Sequence, residues 1–306
     1  MPLAPEIEAL LRTFNTQPPM HKIPIATLRQ TRPRIGASQV QPVGSVLDDV
    51  IPGPGGPIPV RYYSPGWRDG LNPIVVFFHG GGFVFGSIDG YYDHVCRVIC
   101  SQAQCHVMSV AYRLAPEHKF PAATDDCWAA MRWAHAQGRS IGADPNRIIV
   151  AGGSAGANLA AVTALRARDE GGPVLCGQVL FYPLTDFPQP PTRSMRDFAE
   201  GYYLTHADVV WFWQQYVSSD DDARNPYAAP LQAKSLRGLP PALVVTAEYD
   251  PLRDEGERYA ERLREDGVST QLTRYPGMIH GFMAFPTPLA DVALQESVGW
   301  IGALVS

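Results

Sequence analysis

Residues 150–158 have the sequence Val150-Ala151-Gly152-Gly153-Ser154-Ala155-Gly156-Ala157-Asn158. This stretch joins an apolar run to a run of small residues through a Gly-x-Ser-x-Gly turn, which is the pattern of a nucleophile elbow. In such a turn the serine lies at a sharp junction between a strand and a helix, with its hydroxyl exposed above the sheet. The stretch therefore predicts a nucleophilic serine at Ser154. An isolated turn of this kind is also compatible with a serine that only caps the helix.

Apolar runs and helical patterns alternate along the chain on both sides of this turn. Strands are predicted at 45–51, 58–63, 73–78, 107–112, 148–150, 179–182, 242–246 and 270–275, and helices at 5–14, 90–104, 122–137, 159–165, 255–265 and 289–304. The first two strands enclose a turn of prolines and glycines and predict a hairpin. Beyond residue 73, strand and helix alternate, which predicts a mainly parallel α/β sheet with its site at the carboxyl ends of the strands.

The alternation breaks after residue 182, where the sequence Phe187-Pro188-Gln189-Pro190-Pro191 stops regular structure. The following forty residues are predicted to form an insertion with helices near 195–199 and 207–217 and a solvated loop at 220–222. The second helix carries a cluster of aromatic residues, namely Trp211, Phe212, Trp213 and Tyr216. Core packing explains these aromatic side chains as well as substrate contact does.

Composition narrows the classes of protein to which the chain can belong. With 306 residues, 45% of them hydrophobic, it can bury a large core. The net charge of −5 and the lack of a basic stripe argue against nucleic acid as a partner. Neither a signal peptide nor a membrane-spanning run is recognisable, so we expect no membrane association and a cytoplasmic location. Five cysteines without a framework, with Cys96 and Cys100 one helical turn apart, predict buried reduced thiols.

A serine hydroxyl needs a neighbouring base and a third group that orients the base. Asp250 follows the strand at 242–246, and His280 follows the last strand in a glycine-flanked loop. Asp254 and Glu255 are alternative carboxylates nearby. The order Ser154, Asp250, His280 is that of the α/β-hydrolases. The remaining candidate histidines lack such a loop after a late strand; they are His21, His94, His106, His118, His135 and His206.

A second requirement of acyl transfer is a site for the oxyanion, which needs backbone N–H groups that nothing obstructs. The strand at 73–78 leads into His79-Gly80-Gly81-Gly82-Phe83. Consecutive glycines at this point are typical of the loop that supplies such donors.

With these motifs the chain resembles the hormone-sensitive-lipase-like branch of the α/β-hydrolases, the bacterial family IV carboxylesterases. The resemblance covers nearly the whole chain. It rests on residues 79–83, on Tyr112-Arg113-Leu114-Ala115-Pro116-Glu117, on residues 152–156, on 249–256 and on His280-Gly281-Phe282. Two positions depart from the pattern: Gly153, where the family commonly has aspartate, and Ala157, where it commonly has glycine.

The resemblance implies an α/β-hydrolase fold with an eight-stranded, mostly parallel sheet flanked by helices. It makes Ser154 the nucleophile, His280 the general base and acid, and Asp250 the group that orients the histidine. The oxyanion hole would be formed by the N–H groups of Gly81, Gly82 and Ala155. Candidate substrate-binding residues are Phe83, Phe212 and Phe282. No cofactor and no metal are expected, and members of the family often form homodimers.

The expected domain organisation is an N-terminal arm at 1–42, an insertion at 187–228, and a catalytic domain formed by 43–186 and 229–306. The resemblance suggests that the arm and the insertion together build a helical cap. The expected function is a serine carboxylesterase for short- to medium-chain acyl esters of small molecules. Two alternatives stay open: a ligand-binding protein on the same fold, and an acyl-enzyme that cleaves amides or lactones.

Overall fold

The computed structural model describes residues 2–30, 41–66 and 70–305. Residues 31–40 of the predicted N-terminal arm lie outside the described residues. The described strands form one sheet in the order β1-β2-β4-β3-β5-β6-β7-β8. They are β1 (Ser45–Gly53), β2 (Gly56–Ser64), β3 (Asn72–Phe78), β4 (His106–Val110), β5 (Ala143–Gly153), β6 (Gly177–Phe181), β7 (Ala242–Tyr249) and β8 (Thr270–Ile279).

Strands β1 and β2 pair antiparallel, as do β2 and β4, and all later pairs are parallel. The predicted eight-stranded, mostly parallel sheet is therefore confirmed. The last strand is longer than expected: it runs through Pro276 and Gly277 to Ile279, so that it ends directly before His280.

Helices cover both faces of the sheet. They are α1 (Pro5–Phe14), α2 (Ile25–Gln30), α3 (Asp93–Gln102), α4 (Ala122–Gln137), α5 (Ala155–Asp169), α6 (Arg193–Asp197), α7 (His206–Tyr216), α8 (Asp220–Arg224), α9 (Arg253–Glu265) and α10 (Pro288–Val305). Side chains of α4, α5 and α9 share one hydrophobic cluster with Val76 of β3, whereas α1, α3 and α10 share the opposite cluster with Val75 and Phe77. Strands covered on both faces need apolar residues on both, which explains the continuous apolar runs in the sequence.

The acidic run at 220–222 was predicted to be a solvated loop, and this prediction was wrong. These residues begin α8, whose N-cap Ser219 accepts a hydrogen bond from the Asp222 amide at 3.2 Å. A serine N-cap followed by carboxylates in the first turn satisfies the free amides and the positive end of a helix. Local capping therefore turns the exposed acidic run into a short helix.

The aromatic residues of the insertion are mostly core residues. Trp213 and Tyr216 of α7 are fully buried, and the Tyr216 ring stacks on Phe83 with centroids 3.7 Å apart. The N-terminal arm also reaches the insertion, because the Phe14 ring lies 4.7 Å from the Tyr203 ring. The division into arm, insertion and catalytic domain stays a prediction.

The sequence predicts buried, reduced cysteines and no membrane-spanning helix. All five cysteines are free, and four of them are buried, while Cys176 is partly exposed. Across residues 2–30, 41–66 and 70–305, no helix combines the length and apolar character that crossing a membrane would require.

Candidate active site

Ser154 lies between β5 and α5 in a strained backbone conformation. Its φ is 57° and its ψ is −122°, a region that side-chain-bearing residues rarely adopt. Glycine is required on both sides: a Cβ atom on Gly152 would overlap the Gly156 carbonyl, and one on Gly156 would overlap the Phe78 carbonyl. The close approach of strand and helix therefore holds the hydroxyl of Ser154 clear of the sheet.

The structure brings Asp250 and His280 to this serine from the ends of β7 and β8. Nδ1 of His280 lies 2.8 Å from Oδ2 of Asp250, and Nε2 lies 2.9 Å from Oγ of Ser154. An ionised carboxylate can only accept a hydrogen bond, so Nδ1 carries the proton and Nε2 is free to accept one from the serine. Asp250 is fully buried, and its Oδ1 accepts a second hydrogen bond, from the Leu252 amide at 2.8 Å.

The alternative carboxylates lie elsewhere. Asp254 accepts a hydrogen bond from the Ser194 amide at 2.7 Å, which ties it to α6. Glu255 accepts one from the Thr185 amide at 2.6 Å, and burial raises the pKa of its carboxyl group well above the usual value. Glu255 is therefore bonded to the loop after β6 and not to His280.

The glycine loop at 79–82 adopts backbone conformations that favour glycine. The φ angles of Gly81 and Gly82 are 126° and 57°. A Cβ atom on Gly82 would come within 2.7 Å of Cδ2 of Phe212 and still closer to other atoms of that ring. On the other side of Ser154, Ala155 is the first residue of α5, so its N–H has no acceptor within the helix. Gly81 and Gly82 line the same cavity as Ser154, and their role with Ala155 in an oxyanion hole stays a prediction.

The loop is anchored by residues whose roles were not recognised in the sequence. Tyr112 donates a hydrogen bond to the His79 carbonyl at 2.7 Å, and its ring stacks on the imidazole with centroids 4.3 Å apart. Burial lowers the pKa of His79 to about 4, so the imidazole is neutral. The adjacent Arg113 pairs with the buried Asp126 at 2.8 Å. The motif at 112–117 could have pointed to this support, since it directly follows β4.

A cavity opens in front of Ser154 and His280. Its walls are mainly apolar, and the glycine loop and Phe212 contribute to them. The structure does not place Phe83 or Phe282 there: Phe83 is buried against Tyr216, and Phe282 is fully buried with its ring edge-on to Tyr182. Of the three candidate phenylalanines, only Phe212 lines the cavity.

Met20 from the N-terminal segment and Tyr203 from the insertion line this cavity as well. Both also line a second cavity, which lies between the two segments. Within the described part of the chain, no group of three or more His, Cys, Asp or Glu side chains is arranged to hold a metal ion.

Comparison with known proteins identifies the family to which this fold and this arrangement of Ser154, Asp250 and His280 belong. The profile of the alpha/beta hydrolase fold family matches residues 75–284. The chain belongs to the α/β-hydrolase family. It is 48% identical to the carboxylic ester hydrolase LipN of Mycobacterium tuberculosis over 78% of its own length and 64% of that protein. It is 38% identical to an arylesterase of Saccharolobus solfataricus over 100% of its length and 98% of the arylesterase.

A solved structure extends the comparison to the whole fold. The hyperthermophilic esterase of the archaeon Pyrobaculum calidifontis superposes on this α/β-hydrolase with a TM-score of 0.92 at 43% identity, covering 99% of each chain. The predicted membership of the hormone-sensitive-lipase-like carboxylesterases, and the predicted class of carboxylic ester hydrolase, are confirmed.

Proposed function

We propose that this α/β-hydrolase is a serine carboxylesterase that cleaves short- to medium-chain acyl esters through an acyl-enzyme. The observation that carries the proposal is the continuous chain of hydrogen bonds from Asp250 through His280 to Ser154, which ends at an apolar cavity. A nucleophile, a base and an orienting carboxylate in this geometry activate a hydroxyl that is otherwise a weak nucleophile.

In the proposed reaction Oγ of Ser154 attacks the ester carbonyl carbon while Nε2 of His280 takes the hydroxyl proton. The oxyanion of the tetrahedral intermediate accepts hydrogen bonds from the N–H groups of Gly81, Gly82 and Ala155. The protonated His280 then gives its proton to the departing alcohol, which leaves an acyl group on Ser154. Water attacks this acyl-enzyme while His280 takes one of its protons, and His280 returns that proton to Oγ of Ser154 as the bond to the acyl group breaks and the acid is released. Asp250 stabilises the imidazolium in both steps.

The preference for acyl length follows from the cavity. Each methylene that enters an apolar pocket contributes about 0.8 kcal/mol, so selectivity rises with chain length until the chain meets a wall. We propose Phe212 as this wall, because its ring packs directly on Gly82 and lines the cavity. The family resemblance puts the optimum at roughly four to eight carbons.

We further propose that the N-terminal arm and the insertion form the cap over the site. Met20 of the arm and Tyr203 and Phe212 of the insertion line the cavity, and the backbone amide of His21 donates to Asp208 of α7 at 2.8 Å. Deletion of the arm to about residue 35 should flatten the chain-length profile. An unchanged profile would show that the arm does not bound the pocket. A cytoplasmic location and a homodimer also remain predictions.

A panel of p-nitrophenyl esters from acetate to palmitate, with p-nitroanilides of the same acids, tests the proposal. We expect turnover of the esters with a maximum at intermediate length, slow turnover of the anilides, and no effect of EDTA. Absence of turnover with every ester would favour a ligand-binding protein, and faster anilide turnover would favour an amidase. Loss of activity in EDTA that a divalent metal restores would contradict the proposed mechanism.

A further inference from the structure

The elbow residue Gly153 is packed against a tyrosine from another element. A Cβ atom on Gly153 would lie 2.7 Å from both Cε1 and Cζ of Tyr92, and closer still to its Oη. These three atoms are the nearest neighbours that the Cβ would meet. The φ of Gly153 is not in the positive range, so its backbone conformation suits any residue. A side chain at position 153 is therefore disfavoured by the space that Tyr92 occupies.

The same phenol reaches the glycine loop. A Cβ atom on Gly80 would lie 2.7 Å from Oη of Tyr92 and 2.8 Å from the Gly153 carbonyl oxygen. The end of the Tyr92 side chain thus contacts both the loop that carries Gly81 and Gly82 and the elbow that carries Ala155, beside the point where the two segments approach each other. These are the two segments that supply the proposed oxyanion donors.

Tyr92 is itself held firmly in place. It is the N-cap of α3, the residue is only 8% exposed, and its ring packs on Phe77 with centroids 5.5 Å apart. Its Oη lies 3.4 Å from Oη of Tyr182, and the Tyr182 ring in turn packs edge-on against His280 at 5.0 Å. Tyr92 therefore contacts both donor segments and a neighbour of the histidine.

We propose that Tyr92 is a positioning residue that fixes how the glycine loop is oriented against the elbow. A side chain at position 153 would compete with this phenol for the same space. The inference rests on the proposed function, since it takes the two segments to be the halves of one oxyanion hole.

The consequence for catalysis is a loss in kcat. Oxyanion donors act at 2.7–3.1 Å from the developing charge, and misplacement by about 1 Å can cost about 100-fold. Tyr92 also lines the cavity in front of Ser154, so the test uses p-nitrophenyl acetate, whose acyl group is small. With this substrate Tyr92→Ala should lower kcat by roughly 10- to 100-fold, and a change confined to KM would overturn the positioning role in favour of a binding contact. Tyr92→Phe keeps the ring and should retain most of the activity.

A double-mutant cycle between Tyr92 and Gly153 tests the inference. Gly153→Ala alone should lower kcat at least about tenfold, because the new methyl group pushes the elbow and Tyr92 apart. When Tyr92 is already alanine, the new methyl group has room, so Gly153→Ala should then lower kcat less than about twofold. Gly299→Ala is the matched control, since a Cβ atom there meets nothing within 4 Å; it should leave kcat unchanged.

The cycle should be measured in kcat, KM and Tm for all variants, with Ser154→Ala in the same series. Additive losses in kcat would overturn the positioning role. If the two substitutions are coupled in Tm while kcat stays unchanged, the positioning role is also overturned, because Tyr92 and Gly153 would then pack together without an effect on catalysis. If Tyr92→Ala fails to fold, Tyr92→Phe in combination with Gly153→Ala carries the test, since the missing hydroxyl should relieve part of the clash. Activity retained by Ser154→Ala would identify failure of the proposed function itself.

Discussion

Replacement of Asp250 by asparagine should nearly abolish activity while leaving the fold intact. Asp250 accepts two hydrogen bonds, from the Leu252 amide through Oδ1 and from Nδ1–H of His280 through Oδ2. The Leu252 donor is part of the backbone and cannot change, so the asparagine carbonyl should face Leu252 and its NH₂ group should face His280. The imidazole must then move its proton from Nδ1 to Nε2 to accept that hydrogen bond. In this tautomer Nε2 cannot take the proton of Ser154.

The size of the loss can be estimated from the same substitution in a serine protease, where the wrong tautomer lowers kcat about 10⁴-fold. This factor corresponds to about 5 kcal/mol of transition-state stabilisation. The variant keeps the volume and both hydrogen bonds of the buried side chain, so we expect kcat to fall by about this factor with little change in Tm.

The assay is the initial rate of p-nitrophenyl butyrate hydrolysis, with circular dichroism melting as the check of folding. Asp254→Asn is the matched control, because Asp254 bonds to the Ser194 amide and does not reach His280; it should retain most of the activity. An Asp250→Asn enzyme with more than a tenth of wild-type kcat, or a greater loss in Asp254→Asn, would refute the reasoning.

Three further predictions follow from the site. Ser154→Ala and His280→Ala should each lower kcat by several orders of magnitude in the same assay, because kcat of subtilisin falls about 10⁶-fold when its serine or histidine is removed. Their melting curves should stay unchanged. Phe212→Ala should shift the preferred acyl chain to greater length in the ester panel. Each additional methylene that becomes buried should raise kcat/KM about fourfold, and an unchanged optimum would exclude Phe212 as the wall. Burial lowers the pKa of His79 to about 4 from a usual 6.5, so the unfolded chain binds one proton more in this interval. The free energy of unfolding should therefore fall by up to about 3 kcal/mol as the pH drops from 6.5 to 4, and His79→Gln should remove this contribution in denaturant titrations.

The sheet and the placement of the three reacting side chains were predictable from the sequence because local rules determine them. Apolar runs without alternation identify strands covered on both faces, and alternation with helices makes those strands parallel. Parallel strands end at one edge of a sheet, so residues that follow β5, β7 and β8 must meet there. Ser154 and His280 lie 126 residues apart, yet their proximity follows from this topology.

At the acidic run 220–222 two local signals conflict. A block of carboxylates usually indicates a solvated segment, but Ser219 in front of it forms an N-cap. The capping signal was present in the sequence and outweighs the charge pattern, because it satisfies backbone amides that would otherwise lack partners.

The sequence by itself determined the nucleophile elbow, the glycine loop and the chain order of Ser154, Asp250 and His280, and the family resemblance added the class of enzyme. Only the tertiary structure decided that Phe212 faces the cavity while Phe83 and Phe282 pack into the core, and that Tyr92 fills the space beside Gly153. The physical reason is that glycine conformations and strand patterns act over a few residues. The direction of a large side chain depends instead on which distant segments pack against it, and that is settled only when the whole core forms.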